Sequence, residues 1–196
     1  MTFIIRSCLY GHHCLFISLN NTCVFFLLSQ TAFHLIPGVV MLDTATGYSQ
    51  TETKLGQWLS SHLDLMKRTY IATKFGGSYE RDLAGDDDHG FDMSRTRMIQ
   101  DFDRSASLLG KVDLLYSHLT NQVSFENSMK FLRDEEQQAM LMQWRDESKY
   151  GLQHIGASIS NGKVLAAAAA EGLLNHYDAL QIPGYLAIEM PDVSTS

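Results

Sequence analysis

Four short apolar runs in this 196-residue chain end on a polar side chain. Asp43 ends Val39–Asp43 (VVMLD), Lys74 ends Thr69–Lys74 (TYIATK), His118 ends Val112–His118 (VDLLYSH) and Ser158 ends His154–Ser158 (HIGAS); Tyr48 follows Asp43 by five residues. A carboxylate, a phenol, an amine, an imidazole and a hydroxyl are groups that hold, donate and accept protons. Singly, each has a structural explanation. An Asp after a strand is often a helix N-cap, a Lys in an apolar run can snorkel outward, and a lone His is more often a satisfied structural residue than a catalyst. Recurrence at successive run ends weakens those explanations, provided the fold gathers the ends.

The runs are mostly apolar on both faces, as buried parallel strands are, and a fifth follows at Ala179–Pro183 (ALQIP). Helix-period stretches lie between them. Ser49 and Glu52 have the spacing of a capping box, and Leu55, Trp58, Leu59, Leu63 and Met66 then share one face. A second helix is expected over Ser94–Leu109, with Met98, Ile99, Phe102, Ala106 and Leu109 inward and Gly110 ending it. A third is expected over Ser124–Glu147 and a fourth over Gly162–His176. Alternation of this kind gives a parallel sheet, open and doubly wound or closed as a barrel; periodicity does not choose between them. In both, the C-terminal strand ends form the rim where ligands bind.

Composition narrows the partners. Fifteen Lys and Arg stand against 22 Asp and Glu, a net charge of −7, so no global basic surface exists for phosphate backbones and nucleic acid is not an expected partner. The 45% hydrophobic content argues against a disordered chain. All three cysteines, Cys8, Cys14 and Cys23, fall in the first 30 residues, which hold no Asp or Glu. An odd clustered count is a poor disulfide framework. Cys8, His12, His13 and Cys14 fit no common zinc spacing, and Asp86–Asp88 with His89 reads as a solvated loop, so no metal is expected. The apolar run Cys23–Leu28 is far shorter than a membrane span and lacks the layout of a signal peptide. A cytoplasmic protein with no membrane partner is expected. The contrast in texture divides the chain into a divergent N-terminal segment, 1–30, foreign in origin to the domain, and a domain over 31–196.

The runs also carry a family resemblance. Asp43 to Tyr48 (DTATGY) with Thr51 to Gly56 (TETKLG), Ile71 to Gly76 (IATKFG), Val112 to His118, Ile155 to Ser158 (IGAS) with Asn161, and Tyr177 to Pro183 (YDALQIP) occur in the order found in aldo-keto reductases, which the chain resembles from about residue 31 to 186. The resemblance implies a (β/α)8 barrel of TIM type and NADPH-dependent reduction of aldehyde or ketone carbonyls on a small-molecule substrate. It implies Tyr48 as the general acid, Lys74 as the cation that helps it, Asp43 as the counter-ion of Lys74, and His118 as the group that orients the carbonyl. A phenol ordinarily titrates near ~10 and needs a nearby cation to act at neutral pH. Ser158, Asn161 and Gln181 are implied as ligands of the nicotinamide carboxamide. In the family the Asn often follows the Ser directly, whereas Ile159 and Ser160 intervene here.

The barrel expected is incomplete. About strands 2–6 of eight are recognisable. The first has no clear counterpart, although Phe3–Ile5 or Val24–Leu28 could stand in, and the last two βα units, which clamp the cofactor in the family, are missing. Open strand edges invite self-association. The expected function is therefore an NADP-dependent oxidoreductase whose activity truncation can impair, and the alternative is a non-catalytic regulatory protein or fragment that keeps the rim.

Overall fold

The computed structural model describes residues 3–7, 13–18, 40–48, 50–77 and 90–183. Seven strands lie side by side in chain order: β1 (Phe3–Ser7), β2 (His13–Ser18), β3 (Val40–Asp43), β4 (Thr69–Phe75), β5 (Leu114–Leu119), β6 (His154–Ile159) and β7 (Ala179–Gln181). β1 pairs antiparallel with β2, and every later pairing is parallel. Among the described residues six α-helices connect them: α1 (Thr51–Ser60) and α2 (Leu63–Arg68) before β4, α3 (Arg95–Leu109) before β5, α4 (Phe125–Arg133) and α5 (Glu135–Asp146) before β6, and α6 (Gly162–Ala170) before β7. Five of these parallel strands, β3–β7, form a curled half-barrel with their helices, an incomplete (β/α)8 fold.

Each expected run became a strand. The place beside β3 is taken by His13–Ser18, and Phe3–Ile5 lies one strand further out in β1; Val24–Leu28 lies outside the described residues.

Period-two alternation separates the two faces of the sheet. Leu42, Ile71, Phe75, Leu115, Leu119, Ile155, Ala157 and Ile159 face the helices and form the main core with Leu55, Leu59, Phe102, Leu141 and Val164. Fully burying one such side chain contributes roughly 1.5–3 kcal/mol. Trp144 packs into this core, its ring 4.9 Å from that of Phe102. Trp58 is partly buried and stacks on His62 at 4.9 Å. The opposite face carries the smaller cluster of Ala72, Leu114 and Tyr116, flanked by Met41, Tyr70 and Ala179.

Four helix expectations change. Ser49 lies outside the described residues, Gln50 is the N-cap of α1, and Glu52 turns inward instead of closing a capping box. The first helical stretch splits at Ser61 and His62, so Leu63 is 63% exposed and Leu65 takes the buried position. The third stretch breaks at Asp134, whose extended backbone (ψ 94°) ends α4 and whose Oδ1 accepts the Gln137 N–H at 3.0 Å to start α5. The fourth stops at Ala170 and continues in turns. The second holds: Ser94 caps α3 through the Arg97 N–H, and Gly110 ends it at φ 81°, a left-handed conformation that favours glycine. Ile99 is only partly buried there, while Asp101 and Ser105 are fully inward. α1 reaches α3 closely at Gly56, where any Cβ would collide with the Leu108 carbonyl.

Candidate active site

The same alternation places Asp43, Lys74, His118, Ser158 and Gln181 on the face that carries the smaller cluster, each at the C-terminal end of its strand. The register aligns three of them in one row, His118 opposite Ser158 and Ser158 opposite Gln181. Tyr48 comes from the β3–α1 loop. That loop is held by backbone bonds from Thr44 N–H to Ala72 O (2.9 Å) and from Thr46 N–H to Lys74 O (3.1 Å), and the Thr51 hydroxyl donates to the Tyr48 carbonyl at 2.6 Å.

Lys74 is 1% exposed in a strand interior, a position tolerable only because its ammonium is fully partnered. Nζ donates to Asp43 Oδ1 and Oδ2 at 2.8 Å each and to the Thr44 carbonyl at 2.9 Å, which uses all three of its protons. The same nitrogen lies 5.0 Å from the centre of the Tyr48 ring. The charge therefore reaches the phenol through space. Tyr48 stands edge-on to His118 with ring centroids 5.9 Å apart, and Phe91 packs on the other side of the imidazole at 5.5 Å. Burial first, and the Lys74 charge second, push the His118 pKa down to about 3, so the ring is neutral at neutral pH. Its Nδ1 is buried with no hydrogen-bond partner. Ser158 Oγ donates to Gln181 Oε1 at 2.8 Å, and Gln181 Nε2 donates to Asp43 Oδ2 at 3.1 Å, which ties the far side of the row back to the ion pair.

A pocket of about 200 Å³ opens over this row, lined by Asp43, Tyr48, His118, Ser158, Ser160, Gln181, Ile182 and Pro183. Six of the seven expected site residues are thus brought together: Lys74 lies directly beneath the pocket and five line it. Asn161 is the exception. Its Oδ1 accepts the Lys163 N–H at 3.0 Å and caps α6. Ser160, not singled out in the sequence, lines the pocket instead.

Two buried carboxylates behind the site also escaped sequence reasoning. Glu52 Oε1 accepts the Thr73 and Ser105 hydroxyls at 2.6 and 2.7 Å, which joins α1, β4 and α3. Asp101 accepts from the loop after β4. Burial is the main cause raising both carboxyls above their usual range. Among the described residues no cluster of three or more His, Cys, Asp or Glu could hold a metal ion, and no helix is long and apolar enough to cross a membrane. The Asp86–Asp88 loop with His89 lies outside the described residues, as do Cys8, His12 and Cys23.

The family model described as the aldo/keto reductase family matches residues 31–171. No curated protein matches by sequence. Among solved structures, a Pseudomonas aeruginosa protein assigned to the aldo-keto reductases is similar at 18% identity and TM-score 0.60, the match covering 85% of this chain and 60% of that one. A Bombyx mori aldo-keto reductase in complex with NADP is similar at 16% identity and TM-score 0.53, covering 93% and 58%. A second Bombyx mori aldo-keto reductase is similar at 15% identity and TM-score 0.50, covering 100% and 67%. The chain thus spans about 60% of the length of the first two.

Proposed function

The chain belongs to the aldo/keto reductase family, and from that premise we propose that it reduces aldehyde or ketone carbonyls of small molecules with NADPH at the site of Asp43, Tyr48, Lys74 and His118. The observation that carries this reading is the buried Lys74–Asp43 pair lying under the Tyr48 ring with a neutral His118 alongside. The NADP held by the Bombyx mori relative supports the choice of cofactor.

The residues fit the nicotinamide end of such a group. Ser158 and Gln181 offer the hydroxyl and amide that a carboxamide pairs with, and a pocket of about 200 Å³ is large enough for that ring but not for a dinucleotide. When bound, the cofactor supplies the hydride. The protein supplies position and charge. Tyr48 donates its phenolic proton to the carbonyl oxygen, and the Lys74 ammonium over its ring stabilises the phenolate left behind. Asp43 holds Lys74 in place through both carboxylate oxygens. His118 hydrogen-bonds the carbonyl oxygen as a neutral imidazole, which orients it without competing for the proton. Ser158 and Gln181 fix which face of the ring is presented, and Asn161 joins them only by giving up its cap on α6. A cytoplasmic location, a divergent 1–30 segment and self-association through sheet edges belong to the same proposal.

The test is a fluorescence titration with NADPH, followed by turnover of a simple aldehyde. Saturation below about 100 μM, equivalent to roughly −5.5 kcal/mol, with turnover reduced at least ~100-fold in Tyr48→Phe, is the expected result. The absence of binding at millimolar NADPH would overturn it. A non-catalytic role is the second reading. It is favoured by the Ser158–Gln181–Asp43 hydrogen-bond chain, which engages the carboxamide-binding groups with one another, and binding with no Tyr48-dependent turnover would select it.

A further inference from the structure

We propose that Asp101, on α3 behind the sheet, is a positioning residue that fixes both Tyr48 and His118 by holding the Gly76–Gly77 strap that packs against them; its catalytic consequence rests on the reductase reading above. Asp101 is 2% exposed and does not line the pocket. Its Oδ2 accepts the Gly76 N–H at 2.8 Å and lies 3.4 Å from the Thr46 hydroxyl. Its Oδ1 meets Arg97 Nε at 2.8 Å, and Arg97 Nη2 donates onward to the Gly77 carbonyl at 3.3 Å. The Thr46 hydroxyl also has the Gly77 and Lys74 carbonyls within reach, at 2.9 and 3.1 Å. One helix residue therefore holds the loop after Lys74 directly, and the loop before Tyr48 joins that loop through the Thr46 hydroxyl, whose nearest acceptor is the Gly77 carbonyl.

From those loops the path to the reacting groups is direct contact. A Cβ on Gly77 would stand 3.3 Å from His118 Nδ1 and 3.3 Å from the Gly47 Cα, so the Gly77 backbone packs against the imidazole and against the residue preceding Tyr48. Gly76 stands at φ +93°, and a side chain there would strike Met93. The segment is thus a bare backbone strap with no side chain of its own to lock it. On the sheet side it is held by the Asp92 N–H on the Gly76 carbonyl (2.9 Å) and by the Gly77–Phe91 bridge, and from behind by Asp101 on the Gly76 N–H. An apolar residue would fill the space behind the strap more cheaply, because a buried carboxylate carries a desolvation cost. What a carboxylate adds is direction: Oδ2 fixes the Gly76 N–H while Oδ1 is ion-paired with the Arg97 guanidinium. Shifts of about 1 Å at reacting groups cost on the order of 100-fold in rate.

The test uses the full chain and three variants: Asp101→Asn, Asp101→Ala and Arg97→Gln. NMR reads the His118 imidazole signals, the Gly47 and Tyr48 amides, and hydrogen exchange at the Gly76 amide. Turnover of benzaldehyde with NADPH is measured alongside. The expected result is exchange at Gly76 at least ~10-fold faster, shifted His118 and Tyr48 signals, and kcat reduced about 10- to 100-fold with the NADPH KM within about twofold. Folded variants with wild-type Gly76 exchange and unmoved His118 and Tyr48 signals would overturn the proposal, as would an unchanged kcat. If the Asp101 variants do not fold, Arg97→Gln decides, since it loosens the same carboxylate from a half-buried position. If the wild-type protein shows no turnover, the reductase reading falls, while the NMR measurements still decide whether Asp101 positions the pair.

Discussion

Replacing His118 by Gln should abolish a specific part of the fold's sensitivity to acid. The imidazole is 7% exposed, and burial together with Lys74 takes its pKa from 6.5 to about 3. In the unfolded chain it returns to about 6.5. The folded value lies below the unfolded one, so the folded state disfavours the imidazolium. The contribution is intact above pH ~6.5 and is lost as the pH falls toward 3. With those two values, His118 alone lowers stability by about 2 kcal/mol between pH 8 and pH 5, and by about 3 kcal/mol by pH 4. The figure at pH 5 scarcely changes for any folded value below about 4, because the folded imidazole is then neutral at that pH. Urea unfolding followed by tryptophan fluorescence, with Trp144 in the core as reporter, measures it for the wild type and His118→Gln at pH 8, 6 and 5. The carboxyls titrate in both proteins and cancel in the difference. With a urea slope of about 2 kcal/mol/M, the wild-type midpoint should fall relative to the variant by about 1 M between pH 8 and 5. A difference constant to within about 0.5 kcal/mol across that range would refute the buried neutral imidazole and the proton role derived from it.

Glu52 should behave in the opposite sense. Its carboxyl is raised chiefly by burial, so its neutral form is favoured in the fold, and the associated stability is present below 4.5 and lost as the pH rises through the folded value. Glu52→Gln keeps an oxygen for the Thr73 and Ser105 hydroxyls and removes the charge, so its Tm should exceed that of the wild type, by more at pH 8 than at pH 4.5 in thermal unfolding. For Asn161, the cap on α6 predicts that Asn161→Ala loses about 1 kcal/mol of stability and that Asn161→Ser restores it with NADPH affinity unchanged. A weakened NADPH titration in Asn161→Ser would show instead that the amide reaches the cofactor.

Strands were the legible part of this fold, because a run apolar on both faces has few other places to go. Gly110 was legible for a similar reason, since a glycine after a periodic stretch marks the left-handed end of a helix. The break at Asp134 was also written in the chain. Asp134 with Gln137 three residues on is the capping pattern that ends one helix and begins the next, and both Gln137 bonds to Asp134 form. It is passed over where the helix-period stretch is read as one helix from Ser124 to Glu147. The opposite error occurred at Ser49 and Glu52, where the spacing of a capping box is present but Glu52 is drawn inward by Thr73 and Ser105. A local pattern loses when distant partners hold the same side chain more tightly.

The rim followed from the run ends: in a parallel α/β sheet the C-terminal strand ends share one edge, and the register then sets their side chains on one face. The carboxylates behind it could not be read that way. Asp101 and Glu52 sit in amphipathic helices, where an acid is ordinarily assigned to solvent. Each is buried by partners far off in the chain: Thr73 and Ser105 lie 21 and 53 positions from Glu52, and Gly76 and Thr46 lie 25 and 55 from Asp101. Their burial has a consequence for the chemistry. With Asp43, three acids lie beneath one rim, against the fully buried Lys74 and the half-buried Arg97. Arg97 answers Asp101, and the hydroxyls of Thr73 and Ser105 hold Glu52, whose raised carboxyl favours the neutral form. Asp43 is then the acid left to oppose Lys74 at contact distance. The Lys74 ammonium under the Tyr48 ring is thus paired with Asp43 while the other two acids hold the helices and loops behind it, and so the polar layer behind the sheet belongs to the site as much as the residues that face the pocket.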